Sequence, residues 1–218
     1  GANDPIRASQ TWHLEQLGWS GVLVEPISQL CDCLREQRPR SQVIQAACGP
    51  PGHQETACLY VATALSRSTV TDSFAFVPNK VKRTETVRMF KLDEILEQTG
   101  ITRPDYVSID VEGYQYEVLS GFSLSRYQPR LLVVEDHLLD LKTHRLIEQQ
   151  GYRLVKRVVR NNWYIPKNQE FHLTCRMETF QLWRKVYLHT PFRKIRYALR
   201  AIIRSWRNRR KIADTGNG

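Results

Sequence analysis

Short apolar runs alternate with segments of helical spacing along most of the chain. The runs predict buried strands of the parallel type, because both faces of such strands are covered. They fall at 21–25 (GVLVE), 42–47 (QVIQAA), 106–109 (YVSI) and 131–135 (LLVVE). Apolar residues three and four positions apart predict helices over 12–17, 28–38, 92–98, 115–119 and 139–150.

Glycine, proline and asparagine separate these elements. The stretch 49–52 (GPPG) ends one predicted strand, and residues 53–90 are less regular, with strand-like composition at 58–62 and 87–90. Near 160, Asn161-Asn162 lies between two apolar runs and predicts a hairpin turn. The alternation predicts an α/β fold, with a mostly parallel sheet, helices on both faces and a terminal antiparallel hairpin.

Composition narrows the class of protein. The chain has 218 residues, of which 41% are hydrophobic and 25% charged, as in an ordinary globular enzyme. Its five cysteines include no C-x-x-C pair, which argues against a disulfide framework or a structural zinc site and predicts a reducing, cytoplasmic location. The sequence shows no signal peptide, and no apolar run approaches the roughly 20 residues that span a bilayer.

The net charge of +10 is unevenly distributed. Residues 184–211 contain eleven Lys or Arg and no Asp or Glu, so removing their +11 leaves −1 for the rest of the chain. The basic character therefore belongs to a C-terminal segment. We predict two parts, a catalytic body over residues 1–168 and a basic helical tail over 169–218.

Two acidic residues end the predicted strand 106–109. Asp110 and Glu112 precede Gly113, which permits a turn into the next helix. Acidic residues at the carboxyl end of a strand in an α/β protein lie where such folds bind ligands. A solvated pair that caps the next helix is the alternative interpretation.

A glycine-and-polar turn opens the chain. Residues 1–4 (GAND) have the composition of a turn that lets a ligand approach the backbone and a helix N-terminus. Glu25 ends the following strand about 20 residues later, where an acid can accept hydrogen bonds from both hydroxyls of a ribose. Together with Asp110, these residues predict a nucleotide-type cofactor site.

With these residues, the chain resembles the FkbM-type methyltransferases, which are class I enzymes dependent on S-adenosylmethionine. The resemblance spans about residues 1–166, matches poorly over 53–86, and rests on the segments 1–26, 43–49, 87–96, 105–122 (DYVSIDVEGYQYEVLSGF), 131–136 and 151–166. It implies a Rossmann-like fold.

The resemblance also implies roles for particular residues. Gly1, Asn3 and Asp4 would line the amino-acid end of S-adenosylmethionine, and Glu25 would hold its ribose. Near the adenine would lie Ala47 and Cys48, whereas Asp110 and Glu112 would face the methyl-transfer centre.

Four departures from the family pattern bear on these roles. Pro5 replaces a usual glycine and removes one backbone N–H. Gln10 stands where the family has the asparagine of a Ser-Asn-Thr segment, and Gln115 stands where the family has a carboxylate. The first strand, which is central in this fold, is missing before Gly1, so we expect either a truncated fragment or an incomplete cofactor pocket.

The implied chemistry is in-line methyl transfer to a positioned acceptor. Asp110 is the first candidate for the base that accepts a hydroxyl proton, and Glu112 is the second. Glu135 and His137 could complete the site, since histidine titrates near neutral pH, but His137 could also be a surface residue at a helix start. The acids could hold a divalent cation, but the sequence offers no evident third ligand, so no metal is predicted.

The tail has one apolar helical face with basic residues largely off it. The pattern predicts binding to an anionic membrane surface. A helix docked on the body is the alternative, and nucleic-acid binding is a weaker one. The apolar positions are Phe192, Ile195, Leu199, Ile202, Ile203 and Trp206, and the basic ones are Arg193, Arg196, Arg200, Arg204 and Arg207.

The sequence thus predicts an S-adenosylmethionine-dependent O-methyltransferase. The family implies an acceptor hydroxyl on a saccharide or glycolipid, and the tail would hold the enzyme peripherally at the inner face of a membrane. N-methylation remains open. The alternative is a degenerate methyltransferase fold that acts as a membrane- or nucleic-acid-binding module. The sequence gives no indication of the oligomeric state.

Overall fold

The computed structural model describes residues 1–7, 9–62, 68, 70, 81–139, 141–172, 175–200 and 203. Strands and helices alternate along the body, as the sequence predicts. The strands within these ranges are β1 (Gly21–Glu25), β2 (Ser41–Gln45), β3 (Ala47–Cys48), β4 (Thr56–Ala62), β5 (Val81–Phe90), β6 (Tyr106–Ile109), β7 (Leu131–Glu135), β8 (Tyr152–Val158) and β9 (Asn161–Pro166). The helices are α1 (Trp12–Gln16), α2 (Ser28–Gln37), α3 (Leu92–Gln98), α4 (Gln115–Ser120), α5 (Leu124–Tyr127), α6 (Lys142–Gln149) and α7 (Arg176–Trp183).

The strand pairing is mixed. β1 and β2 pair in parallel, β3 pairs in parallel with β5, and β4 is antiparallel to β5. A four-stranded sheet has the order β6-β7-β9-β8, in which β6 and β7 are parallel and the other pairs antiparallel. The prediction of a mostly parallel sheet is therefore not confirmed, because the β4–β5 pair and the terminal hairpin both contribute antiparallel pairs.

Two apolar clusters account for the buried runs. In β7, Leu132, Val133 and Val134 are all buried, because the strand lies between β6 and β9. The larger cluster packs these strands against α4, α5 and α6, and a second one joins Ile27 to β3, β4 and β5. Helix α2 turns Cys31 and Leu34 inward and ends beside Pro39, which disfavours a helical residue before it.

The terminal hairpin is present, but its turn lies earlier than predicted. Residues 159 and 160 form the turn, with Val159 at a φ of 56°, and Asn161 and Asn162 belong to β9. Asn162 is fully buried. A buried amide needs hydrogen-bond partners, and the side-chain amide of Asn162 donates to the backbone carbonyls of Val134, Asp136 and Arg160. These contacts keep the asparagine in the sheet.

The C-terminal segment is helical where it is described. After α7, the π-helical turn Arg184–Leu188 leads into a helix whose described residues are 190–200 and 203, called the tail helix below. Of the predicted tail positions, Ile202, Arg204, Trp206 and Arg207 lie outside the described residues. No helix in the described part of the chain is long and apolar enough to cross a membrane.

Candidate functional site

The carboxyl ends of β1 and β6 meet at the first two residues of the chain. The Ala2 amide donates to the carbonyl of Val24 in β1, at 3.0 Å. The Gly1 nitrogen donates to the carbonyl of Asp110, directly after β6, at 2.9 Å. Consecutive residues that bond to opposite neighbours have the alternation of a β-strand. The opening turn therefore joins two strand ends that are 85 positions apart in sequence (25 to 110).

Glu25 presents a buried carboxylate at this junction. Its side chain is 3% exposed, and its two oxygens accept the backbone N–H groups of Asn3, at 2.9 Å, and Ile27, at 3.1 Å. A carboxylate has about four acceptor positions, so capacity remains for two further donors. The two hydroxyls of a ribose are donors of this kind.

A cavity of about 690 Å³ opens between β1 and β6. It runs along the whole of both strands, and at their carboxyl ends it borders Gly1 and Glu25. An added Cβ at Gly1 would lie 3.2 Å from the Asp110 carbonyl oxygen and 3.5 Å from Glu25 Oε2, so a side chain there would crowd this junction. Seven of the ten candidate site residues line it, namely Gly1, Asn3, Glu25, Ala47, Cys48, Asp110 and Glu112, and Asp4, Glu135 and His137 lie outside the lining.

Asp4, a predicted cofactor contact, does not line this cavity. Its Oδ1 accepts the backbone N–H groups of Ile6, at 2.9 Å, and Arg7, at 2.6 Å. These two hydrogen bonds lower the pKa of the Asp4 carboxyl. Asp4 shapes the opening turn locally and lies beside a smaller pocket with Leu30 and Cys33.

An acidic pair lies at the ends of β6 and β7. The side chains of Asp110 and Glu135 are hydrogen-bonded to each other, and Arg160 Nε lies 3.1 Å from Glu135 Oε1. Burial, the charge of Asp110 and the hydrogen bond between the two acids raise the pKa of Glu135 to about 7, and Arg160 opposes this only in part. The Glu135 carboxyl can thus hold a proton near neutral pH.

The turn after β6 has a conformation that few residues adopt. Glu112 has a φ of 43° and Gly113 a φ of 93°, both in the left-handed region. A non-glycine residue there costs about 1–3 kcal/mol, and such residues concentrate at functional sites. The turn places Glu112 at the cavity wall. The charge of Glu112 also helps to raise the pKa of Glu135.

His137 lies next to the acidic pair but outside the cavity lining. Its Nδ1 is 2.8 Å from the hydroxyl oxygen of Tyr197 in the tail helix, and its Nε2 is 3.4 Å from Arg160 Nη1. Burial and the nearby charges of Arg160 and Arg157 lower the pKa of His137, so the ring is neutral at physiological pH. The structure thus places His137 between the site and the tail.

Three polar side chains support the site in ways that sequence patterns do not reveal. Gln10 bridges the strands, since its Oε1 accepts from the Tyr106 hydroxyl at 3.0 Å and its Nε2 donates to Asn161 at 3.3 Å. Gln115, which replaces the family's carboxylate, donates to the backbone carbonyl of Glu135 at 2.7 Å. A glutamate could not make that bond while ionised.

The third is Arg38, which is 2% exposed. It pairs with Glu15 at 2.5 Å and donates to the Pro5 carbonyl and to the hydroxyls of Ser9 and Thr11. These bonds fix the segment that follows the opening turn. Nothing in the pattern around Arg38 distinguishes it from a solvated arginine at a helix end.

The cysteines and acids show no metal-site geometry. Burial raises the pKa of Cys48 to about 11, so this cavity residue is a neutral thiol suited to apolar contact. Within the described residues, no three His, Cys, Asp or Glu side chains are grouped as metal ligands would be.

Comparison with known proteins identifies the family. Residues 1–154 match the model of the Methyltransferase FkbM domain, which is more than half of the chain. Neither the curated proteins nor the solved structures give a match. The family indicates a class I methyltransferase α/β fold, and the mixed sheets and helices described above agree with it. The resemblance noted from the sequence is confirmed, and the chain belongs to the FkbM methyltransferase domain family.

Proposed function

We propose that the protein is an S-adenosylmethionine-dependent O-methyltransferase that acts on a hydroxyl of a saccharide or glycolipid. One observation carries the proposal: Glu25 and the Asp110–Glu135 pair lie at the same strand-end edge, joined through Gly1 and Asn3. This edge thus has a carboxylate that can accept hydrogen bonds from the hydroxyls of a ribose, and an acidic pair that can take a proton from the acceptor. Family membership supports methyl transfer in general.

The residues at the carboxyl-end edge of the cavity fit S-adenosylmethionine. Glu25 would accept from the ribose hydroxyls, and Asn3 with the open backbone of Gly1 would border the amino-acid end. Ala47 and the neutral Cys48 thiol offer an apolar wall for the adenine. When bound, the cofactor supplies an electrophilic methyl group.

The acidic pair would orient the acceptor and take its proton. A hydroxyl that becomes an ether oxygen must lose its proton as the bond forms, and a carboxylate within hydrogen-bond reach can accept it. Because Glu135 loses its proton as pH rises through about 7, the acidic pair becomes a better base over that range. Glu112, which lines the cavity, would accept a hydrogen bond from a second hydroxyl of the saccharide.

Two departures from the family pattern do not favour the degenerate, non-catalytic alternative. Gln115 stabilises the acidic edge, because it donates to the backbone carbonyl of Glu135. Pro5 contributes its carbonyl to Arg38.

Calorimetry with S-adenosylmethionine tests the binding half of the proposal. Glu25→Gln is expected to lower the affinity about tenfold or more, since each 1.4 kcal/mol of lost interaction is a factor of ten. Absence of binding to a folded protein that carries an added strand before Gly1 would refute the enzyme assignment.

Turnover tests the catalytic half. With labelled S-adenosylmethionine and a panel of saccharides and glycolipids, Asp110→Asn is expected to lower kcat by about 10²–10⁴ and to leave cofactor affinity within about twofold. Asp32→Asn, at an exposed aspartate of α2, is the matched control and should retain full activity. Equal loss of binding and turnover in Asp110→Asn would assign Asp110 to the cofactor or to folding.

A further inference from the structure

The tail helix displays an apolar stripe to solvent. Phe192, Ile195, Leu199 and Ile203 follow one another at spacings of three and four and are 71%, 59%, 54% and 53% exposed. On a helix of 3.6 residues per turn these positions form a single face. A stripe of this kind is a marker of an interaction surface.

The body contacts a different side of the same helix. Tyr197 bonds to His137, and Arg193 Nε donates to the carbonyl of Leu138 at 3.4 Å. At the start of the helix Thr190 is buried. Because helical spacing puts Arg193 and Tyr197 well away from the stripe, the helix is held on the body while the stripe remains uncovered.

The charge around the stripe selects among possible partners. Residues 184–211 have no acidic residue and a charge of +11, so a second copy of the chain would bring like charges together. Nucleic acid would satisfy the arginines but would leave the exposed aliphatic side chains in water. An anionic lipid surface accommodates both, since apolar side chains enter the acyl boundary and arginines meet the headgroups.

We propose that the tail helix docks the protein on an anionic membrane surface through the stripe of Phe192, Ile195, Leu199 and Ile203. The contact of Tyr197 with His137 then holds the Asp110–Glu135 edge beside the lipid headgroups. The docking also favours a lipid-linked saccharide over a free saccharide as the methyl acceptor, an inference that rests on the proposed function. The hydroxyls of a lipid-linked saccharide lie at the depth of the lipid headgroups, where the site would be held.

Vesicle flotation with the full chain tests the docking. Wild-type protein is expected to float with vesicles of phosphatidylcholine and phosphatidylglycerol, to float much less with phosphatidylcholine alone, and to dissociate partly as salt is raised. Leu199→Glu is expected to reduce the membrane-bound to free ratio at least about tenfold on the mixed vesicles.

Leu17→Glu is the matched control, because Leu17 is an exposed leucine of the body, 78% accessible, and should bind as the wild type does. Circular dichroism establishes that both variants fold. Asp110→Asn should also bind normally, which separates docking from catalysis. Equal flotation of Leu199→Glu and the wild type, equal binding to neutral vesicles, or displacement from the vesicles by a short oligonucleotide would each overturn the proposal.

Discussion

At the residue scale, Glu135 makes stability depend on pH in an unusual direction for a carboxyl. Its pKa is raised to about 7 in the folded protein from a reference value of 4.5, so the folded state binds a proton that the unfolded state has released between these values. Stability therefore falls as pH rises from about 4.5 to about 7 and is constant, for this group, above that range. The expected loss is of the order of 1–3 kcal/mol.

Urea unfolding at pH 5 and pH 8 measures this effect. Glu135→Gln is the matched variant, because an amide mimics the protonated acid and has no titration in this range. The difference in unfolding free energy between the two pH values should be smaller in the variant by the contribution of Glu135. If wild type and variant show the same difference, the pKa of Glu135 is not raised in the folded protein.

A sequence pattern can predict a site residue when the position of that residue at the end of a strand is enough to define its role. Glu25, Asp110 and Glu112 follow buried strands and were expected at the cavity edge, where they lie. Gln10 illustrates the opposite case, because its partner Asn161 is 151 positions away and neither residue carries a local pattern. Contacts of that kind depend on the assembled fold.

At the element scale, Gly121 sets how closely α4 approaches the segment after β3. A Cβ at this position would lie 2.4 Å from the backbone oxygen of Gly49, which cannot move independently as a side chain could. Replacement of glycine by alanine at a helix end would otherwise stabilise by about 0.4–1 kcal/mol through the unfolded state. We expect the clash to dominate, so that Gly121→Ala destabilises by about 1–3 kcal/mol.

Thermal unfolding distinguishes the two effects, since 1 kcal/mol corresponds to about 2–4 °C for a chain of this size. Gly21→Ala in β1 is the control, because an added Cβ there meets nothing within 4 Å. It should leave the midpoint unchanged or slightly raised. A midpoint for Gly121→Ala at or above that of the control would contradict the close approach.

Most elements of the body could be predicted from the sequence, because buried strands and amphipathic helices have distinct periods. β1, β6 and β7 coincide with the predicted runs, and α3 has the predicted bounds. The segment around β4 and β5 could not be predicted well, since half of the β5 residues are exposed and the strand lacks a continuous apolar run. The hairpin turn was misplaced because the buried role of Asn162 depends on carbonyls of β7 and the turn.

At the scale of the whole molecule, the described strands form groups on either side of the cavity. β1 pairs with β2, and β6 pairs with β7, so the other edges of β1 and β6 both border the cavity. Unpaired strand edges leave backbone N–H and C=O groups that favour pairing with a further strand. Gly1 and Ala2 already supply two such bonds, one to each side.

A strand added before Gly1 should therefore pair with both edges. Extension of the chain at Gly1 by about five alternating β-branched residues is expected to run parallel to both edges and to raise the unfolding midpoint by about 4 °C or more. Affinity for S-adenosylmethionine, measured by calorimetry, should rise as well, because the turn from Gly1 to Asn3 that supports Glu25 becomes anchored at both ends. An extension of equal length with proline at alternate positions cannot donate its backbone bonds and should do neither. Equal midpoints and affinities for the two extended proteins would mean that the cavity between β1 and β6 does not accept a strand.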